Sequence, residues 1–225
     1  MHPNRRLAAF QAADLYVVIT EAFCAGRHAH EILVQTLMAG VRLVQLREKE
    51  MSGRSLYNLA LEFRRLTAAA GALLIIDDRL DIALACGADG VHLGQEDLPV
   101  DVGRQIAPDL IIGASTHSLE EALAAQEQGA SYVNIGPIFA TQTKPDVTPL
   151  GVEAIDRIAP RLRIPWTTMG GITRANIAQV VFHGARRPAV MSAVTAAANP
   201  QAAALELRQI ILAGRERPLE LHLKD

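Results

Sequence analysis

Two cysteines are all that this 225-residue chain holds, and Cys24 and Cys86 lie in unrelated segments without CxxC spacing. A disulfide framework or a cysteine-built zinc site is thereby disfavoured, and the usage fits a reducing cytoplasm. Charge of one sign is also missing. A formal net charge of −2 leaves no basic excess with which to hold nucleic acid or an anionic membrane surface. No apolar run approaches the ~20 residues of a membrane span. The opening Met1-His-Pro-Asn-Arg-Arg6 carries two arginines but no following apolar h-region, so it does not read as a secretion signal. No GxGxxG follows the first strand-like run, which weakens a dinucleotide-binding reading. No linker or composition shift marks a second domain. What remains is a soluble, cytoplasmic, one-domain expectation. Half of the residues are hydrophobic, enough for one sizeable core.

Strand-like and helix-like segments alternate from end to end. Short, nearly continuous apolar runs predict strands over 15–20, 43–47, 72–77, 90–93, 110–113, 132–136, 164–168 and 189–192. Such runs suit strands buried on both faces of a parallel sheet. Amphipathic, alanine-rich segments between them predict helices over 29–39, 55–69, 79–86, 119–128, 151–159, 174–182 and 200–213. A further helix over 98–109 is interrupted by Pro99 and Pro108. Ser118 suits an N-cap, and the pairs Gly87-Ala88, Gly129-Ala130 and Gly184-Ala185 suit helix ends that turn left-handed. Eight strand–helix repeats in this length match an α/β fold of the (β/α)₈ TIM-barrel type better than an open doubly wound sheet. The expected division is an N-terminal extension over 1–14, one barrel over 15–213 and a charged tail over 214–225. That tail suits a surface extension or a homo-oligomer contact.

In such a barrel the chemistry gathers where strands end. The second strand ends Gln45-Leu-Arg47-Glu-Lys49, and alternation puts Gln45, Arg47 and Lys49 on one side if the chain stays extended. Arginine would grip phosphate oxygens with two donors, and lysine would add a mobile point charge. Asp77 and Asp78 end the third strand. Neighbouring carboxylates on a strand point apart, so one is expected toward an anion or metal and the other as a cap on the next helix. Asp97 follows the Gly94-Gln-Glu turn and, with Asp78, makes a two-carboxylate Mg²⁺ site. Ser115 ends the fifth strand, and Thr141, Thr143 and Lys144 follow the sixth. Gly170-Gly171 ends the seventh, and Ser192 the eighth, where backbone N–H groups can approach a phosphate. Two anionic groups are implied: a metal-bound diphosphate near strands two to four, and a monophosphate near seven and eight. His92 reads as a buried structural residue more than a functional one, while His117 could reach the site or cap the next helix.

Taken together, the blocks Val44-Gln-Leu-Arg-Glu-Lys49, Ile75-Ile-Asp-Asp-Arg79, Gly87-Ala-Asp-Gly-Val-His-Leu-Gly-Gln-Glu-Asp-Leu-Pro99, Gly136-Pro-Ile-Phe-Ala-Thr-Gln-Thr-Lys144 and Met169-Gly-Gly-Ile172 resemble thiamine-phosphate synthases. The resemblance runs from about Leu15 to Leu212 and extends to the related thiazole tautomerases. It implies a transferase joining hydroxymethylpyrimidine diphosphate to a carboxylated thiazole phosphate, with thiamine phosphate, diphosphate and CO₂ as products. By the same resemblance, Gln45, Arg47, Lys49, Asp77, Ser115 and Lys144 would bind the pyrimidine diphosphate, with Arg47, Lys49, Ser115 and Lys144 catalytic. Asp78 and Asp97 would hold Mg²⁺. Thr141, Gln142, Thr143, Gly170, Gly171, Met191 and Ser192 would take the thiazole phosphate. The implied mechanism is dissociative: diphosphate leaves first, and the thiazole nitrogen captures the resulting cation.

Four places depart from that family's pattern. Asp77 stands where asparagine is usual, Ala140 where proline is, Pro188 where glycine is common before the eighth strand, and Thr168-Met169 where the approach to the glycine pair is more apolar. Three other readings stay open. His117 could serve a thiazole tautomerase as its base, Lys49 or Lys144 could be the nucleophile of a Schiff-base aldolase, and the chain could bind thiamine precursors without turnover. Asp97 and the Thr141-Gln-Thr-Lys144 run favour the synthase, because a tautomerase needs no diphosphate apparatus.

Overall fold

A computed structural model describes residues 3–141 and 147–215. Eight parallel strands form the sheet: β1 (Tyr16–Ile19), β2 (Leu43–Leu46), β3 (Leu73–Asp77), β4 (Gly90–Leu93), β5 (Ile111–Thr116), β6 (Tyr132–Ile135), β7 (Trp166–Thr168) and β8 (Ala189–Val190). Their order is β7-β6-β5-β4-β3-β2-β1-β8, so each strand pairs with its sequence neighbour and β8 returns to β1. That is the expected (β/α)₈ barrel, nearly closed. The seam falls between β7 and β8, where the bridge of Thr168 to Pro188 is the only contact of ladder type among the described residues. Proline has no N–H to donate there, and its carbonyl instead accepts from the Tyr16 amide at 3.1 Å.

Helices cover the outer face: α2 (Ala29–Met38), α3 (Gly53–Ala69), α4 (Leu80–Cys86), α5 (Val100–Ile106), α6 (Leu119–Glu127), α7 (Glu153–Ile158), α8 (Ile177–Phe182), α9 (Ser192–Thr195) and α10 (Pro200–Arg215). Ser118 caps α6 as its sequence suggests, accepting from the Glu121 amide at 3.1 Å. Gly87 ends α4 at φ +67°, a conformation that costs glycine little. Several ends differ from expectation, two of them on the β7–β8 side of the mouth. The eighth strand stops at Val190, so Ser192 opens the short α9 rather than ending a strand. The helix expected from residue 174 begins at Ile177, because the Asn176 side chain accepts from the Thr173 amide at 2.7 Å and holds a turn there.

Period-two alternation sorts each strand into two populations. One set, with Val17, Val44, Leu74, Ile76, Val91, Ile112 and Val133, packs outward against the helices in the larger core. The other set points into the barrel. At the strand beginnings it is apolar, with Tyr16, Leu43, Leu73, Ile75, Ile111 and Tyr132 clustered. Toward the strand ends the same face becomes polar, with Gln45, Asp77, His92, Ser115 and Asn134 lining a cavity. The barrel therefore has a filled base and a wet mouth.

No element was expected in residues 3–12, which form helix α1 (Pro3–Ala12) across that base. Phe10 is fully buried there, its ring 4.4 Å from that of Tyr132, and the Arg187 guanidinium lies 5.6 Å from the Phe10 ring centre. Arg6 holds the helix in place by donating to the Asp109 carbonyl at 3.0 Å and pairing with buried Asp89. At the other end of the chain, α10 runs to Arg215, and the tail residues 216–225 lie outside the described residues. No helix among the described residues is long and apolar enough to cross a membrane.

Candidate active site

The mouth of the barrel is one cavity of about 1100 Å³ including its opening to solvent. Gln45, Arg47, Lys49, Asp77, Asp78, Asp97, Ser115, Thr141, Gly170, Gly171, Met191 and Ser192 all line it. Of the residues singled out in the sequence, Gln142, Thr143 and Lys144 lie outside the described residues.

On the β2–β3 side, charges of both signs meet. Arg47 Nε is 3.4 Å from Asp77 Oδ2, Lys49 Nζ is 3.5 Å from the same oxygen, and Lys49 also pairs with Asp78. The expectation that Asp77 and Asp78 divide between site and helix cap is not met. β3 ends at Asp77, and Asp78 adopts φ +57°, which swings its carboxylate back to the mouth instead of away from it. Aspartate tolerates that left-handed region better than most residues. Arg79 takes the cap position of α4 and makes no side-chain cap bond.

Burial sets the ionisation here. Removal from water, reinforced by the charge of Asp78, pushes Asp77 up to about 6, even with Lys49 and Arg47 pulling the other way. Burial works against charge on Lys49, but its carboxylate partners outweigh that and raise its pKa. Asp97 is also raised, first by burial and then by its contact with the Asp78 carboxyl. Its Oδ2 meanwhile accepts from the Gly94 amide at 2.7 Å, which fixes the turn that presents it. Two carboxylates held in contact repel each other unless a cation or a proton lies between them.

The opposite wall is made by the Gly170-Gly171 turn. Both residues have positive φ, +99° and +61°. A Cβ on Gly170 would sit 2.4 Å from the Pro137 Cβ, and one on Gly171 2.3 Å from the Ala140 carbonyl oxygen. The glycine pair is thus required by the close passage of the 137–140 segment, in addition to any ligand it meets.

Three further polar groups line the cavity, of which the sequence pointed only to His117 as a residue that could reach the site. Asn134, inward on β6, accepts from the Thr167 hydroxyl at 2.9 Å. His92 is 3 % exposed and bonded through both ring nitrogens, to Tyr132 and Ser115, each at 2.9 Å. His117 bonds through Nδ1 to the Gly136 carbonyl, and its amide donates to Glu121 at 2.7 Å. A signal for the first two was present: a polar residue inside an apolar strand, at the parity that faces the barrel interior.

Comparison with known proteins gives the family and the fold. The thiamine monophosphate synthase family model matches residues 15–194. The thiamine-phosphate synthase of Chloroflexus aurantiacus is 44% identical over 206 residues, spanning 91% of this chain and 95% of its own. That of Pyrococcus abyssi is 47% identical over 177 residues, 79% of this chain and 86% of its own. A thiamine phosphate pyrophosphorylase structure from Pyrococcus furiosus superposes with a TM-score of 0.85 at 39% identity, covering 90% of this chain and 96% of that one. A 3-hexulose-6-phosphate synthase shares the fold at a TM-score of 0.69 and only 19% identity. With a family match across most of the barrel and relatives this similar over nearly their whole length, the chain belongs to the thiamine-phosphate synthase family.

Proposed function

We propose that this barrel mouth joins hydroxymethylpyrimidine diphosphate to a (carboxy)thiazole phosphate, forming thiamine phosphate and releasing diphosphate, together with CO₂ where the thiazole carries its carboxylate. The observation that carries the reading is the meeting of Arg47 and Lys49 with Asp77, Asp78 and Asp97 in a cavity whose other wall is a glycine turn. Gln45, Arg47, Lys49, Asp77 and Ser115, with Lys144, form the pyrimidine diphosphate half. Thr141, Gln142, Thr143, Gly170, Gly171, Met191 and Ser192 form the thiazole phosphate half.

Asp78 and Asp97 fit Mg²⁺ as its protein ligands. Both offer hard carboxylate oxygens, and their mutual contact favours a cation between them. No cluster of three or more metal-ligating His, Cys, Asp or Glu residues occurs among the described residues. That leaves positions for diphosphate oxygens and water, as suits an ion that shares its shell with substrate phosphates. When bound, the ion would neutralise charge on the departing diphosphate.

The protein groups do the rest by charge and position. Arg47 would hold the outer phosphate oxygens with its paired donors, and Lys49 would exchange its carboxylate partners for the leaving group. The carbon–oxygen bond to diphosphate breaks with its electron pair leaving on oxygen. The thiazole nitrogen then supplies the pair for the new carbon–nitrogen bond. Substrates of this kind are small molecules, and a cytoplasmic setting agrees with two buried free thiols.

A second reading has one observation in its favour. With Nδ1 donating to the Gly136 carbonyl, His117 leaves Nε2 as the ring nitrogen to serve as the base that a thiazole tautomerase requires. Incubating the protein with both substrates, with and without Mg²⁺, and weighing the products by mass spectrometry separates the two. Mg²⁺-dependent thiamine phosphate is the expected outcome. Thiazole isomer exchange with no coupled product would replace the synthase reading by the tautomerase.

A further inference from the structure

A chain of four hydrogen bonds runs through the barrel interior and joins two residues of the pyrimidine half-site. Gln45 Nε2 donates to the Tyr16 hydroxyl at 2.8 Å, and the Tyr16 and Tyr132 hydroxyls are 3.1 Å apart. The Tyr132 hydroxyl is 2.9 Å from His92 Nδ1, and His92 Nε2 is 2.9 Å from Ser115 Oγ. Both tyrosines are fully buried, and Gln45 and His92 nearly so.

The donor order along this chain follows from its first member. An amide nitrogen only donates, so the Tyr16 oxygen accepts there and spends its own proton on Tyr132. Tyr132 then donates to Nδ1, and a neutral imidazole accepting at Nδ1 carries its proton on Nε2. That proton goes to Ser115 Oγ, which leaves the serine hydroxyl free to donate toward the mouth. At the other end, Gln45 has committed its nitrogen inward and so turns its carbonyl outward. Reversing one link reverses all of them, because no buried hydroxyl can donate in two directions.

We propose that Tyr16, Tyr132 and His92 are positioning residues that fix, as one unit, an acceptor at Gln45 and a donor at Ser115 for the ring of the bound pyrimidine. The pairing is complementary to an amino group near a ring nitrogen, the hydrogen-bonding pattern of an aminopyrimidine. It rests on the pyrimidine half-site given above. Two other observations fit a built relay. Gly113 leaves room for it, since a Cβ there would lie 2.1 Å from Tyr132 Cζ. Burial also raises the pKa of both phenols, so each keeps the proton it passes on.

Tyr132→Phe tests the relay, because it removes one hydroxyl and keeps the ring that packs on Phe10. The first readout is ¹⁵N NMR of the ligand-free protein labelled at histidine, with His92 identified by the loss of its signal in His92→Asn. The wild type is expected to carry the His92 proton on Nε2, and Tyr132→Phe to show a mixture of tautomers. The second readout is calorimetric binding of pyrimidine diphosphate and, separately, of thiazole phosphate. The pyrimidine Kd is expected to rise about five- to tenfold, the worth of one neutral hydrogen bond, with thiazole phosphate binding unchanged. Tyr16→Phe should act in the same direction.

A wild-type proton on Nδ1 would overturn the donor order. Equal loss of both ligands together with a lowered melting temperature would reduce Tyr132 to packing and overturn the proposal. Because binding is read without turnover, the two readings fail separately. A protein that binds pyrimidine diphosphate with this dependence yet forms no product would sink the synthase reading and leave the relay standing.

Discussion

Lys49 and Asp78 form an ion pair across the ends of β2 and β3 although 29 residues separate them in sequence. The pair exists because Asp78 lies just past its strand on a left-handed backbone, which brings its carboxylate to the same side as that of Asp77. One lysine then faces two carboxylates, and a substrate diphosphate would have to take that lysine from them.

Lys49→Met is therefore expected to lower turnover by about 10²- to 10³-fold, the usual loss when one group stabilising developing charge is removed. The side chain is 43 % exposed, so the melting temperature should move little. Steady-state kinetics with a thermal melt checks both. Retained activity would remove Lys49 from the diphosphate site.

Asp77→Asn should improve the affinity for pyrimidine diphosphate. The Asp77 carboxylate is 3.4 Å from Arg47 and 3.5 Å from Lys49, competing with the ligand for both. An amide keeps the shape and removes the competing charge. A several-fold fall in the pyrimidine diphosphate KM is expected, about 1 kcal/mol. A rise in KM would mean that the carboxylate holds the two cations in their working positions.

Gly170→Ala is expected to destabilise the fold. It combines a φ of +99° with a Cβ placed 2.4 Å from Pro137. A cost of about 3 kcal/mol follows from strain and overpacking together. For a chain of this size that is a fall of roughly 6–12 °C in melting temperature. Calorimetry on the purified variant reads it, and an unchanged melt would show that the 137–140 segment can yield.

Cys24 should resist alkylation in the folded protein. It is fully buried, and burial pushes its thiol up to about 11, with the nearby Glu48 and Glu21 adding to the rise. Thiolate is the reactive form, so little of it exists at pH 8. The same shift sets a sign for stability. The unfolded thiol loses its proton near pH 9 while the folded one retains it, so the unfolded state binds fewer protons between about 9 and 11 and stability falls as pH rises through that window. Mass spectrometry after iodoacetamide, native against denatured, gives the first result, and denaturant melts at pH 8 and pH 10 give the second. Equal labelling in the two states would place Cys24 in contact with solvent.

The sequence by itself determined the repeat of strand and helix, the barrel and the positions at which charge collects, because alternation with period two and apolar helix faces are local properties of the chain. Gln45, Arg47, Ser115 and the glycine pair were legible for the same reason: each sits at a strand end that a parallel barrel must send to one mouth. Tertiary structure alone decided the rest. The left-handed turn at Asp78 defeated a cap expected from strand alternation. Helix α1 closes the base because Phe10 finds the ring of Tyr132 there and Arg6 finds Asp89, and nothing in residues 3–12 announces those partners. The hydrogen-bonded chain from Gln45 to Ser115 draws on five different strands. Its members look like isolated polar or aromatic residues until barrel closure buries them together, away from water, where each donor has to meet an acceptor.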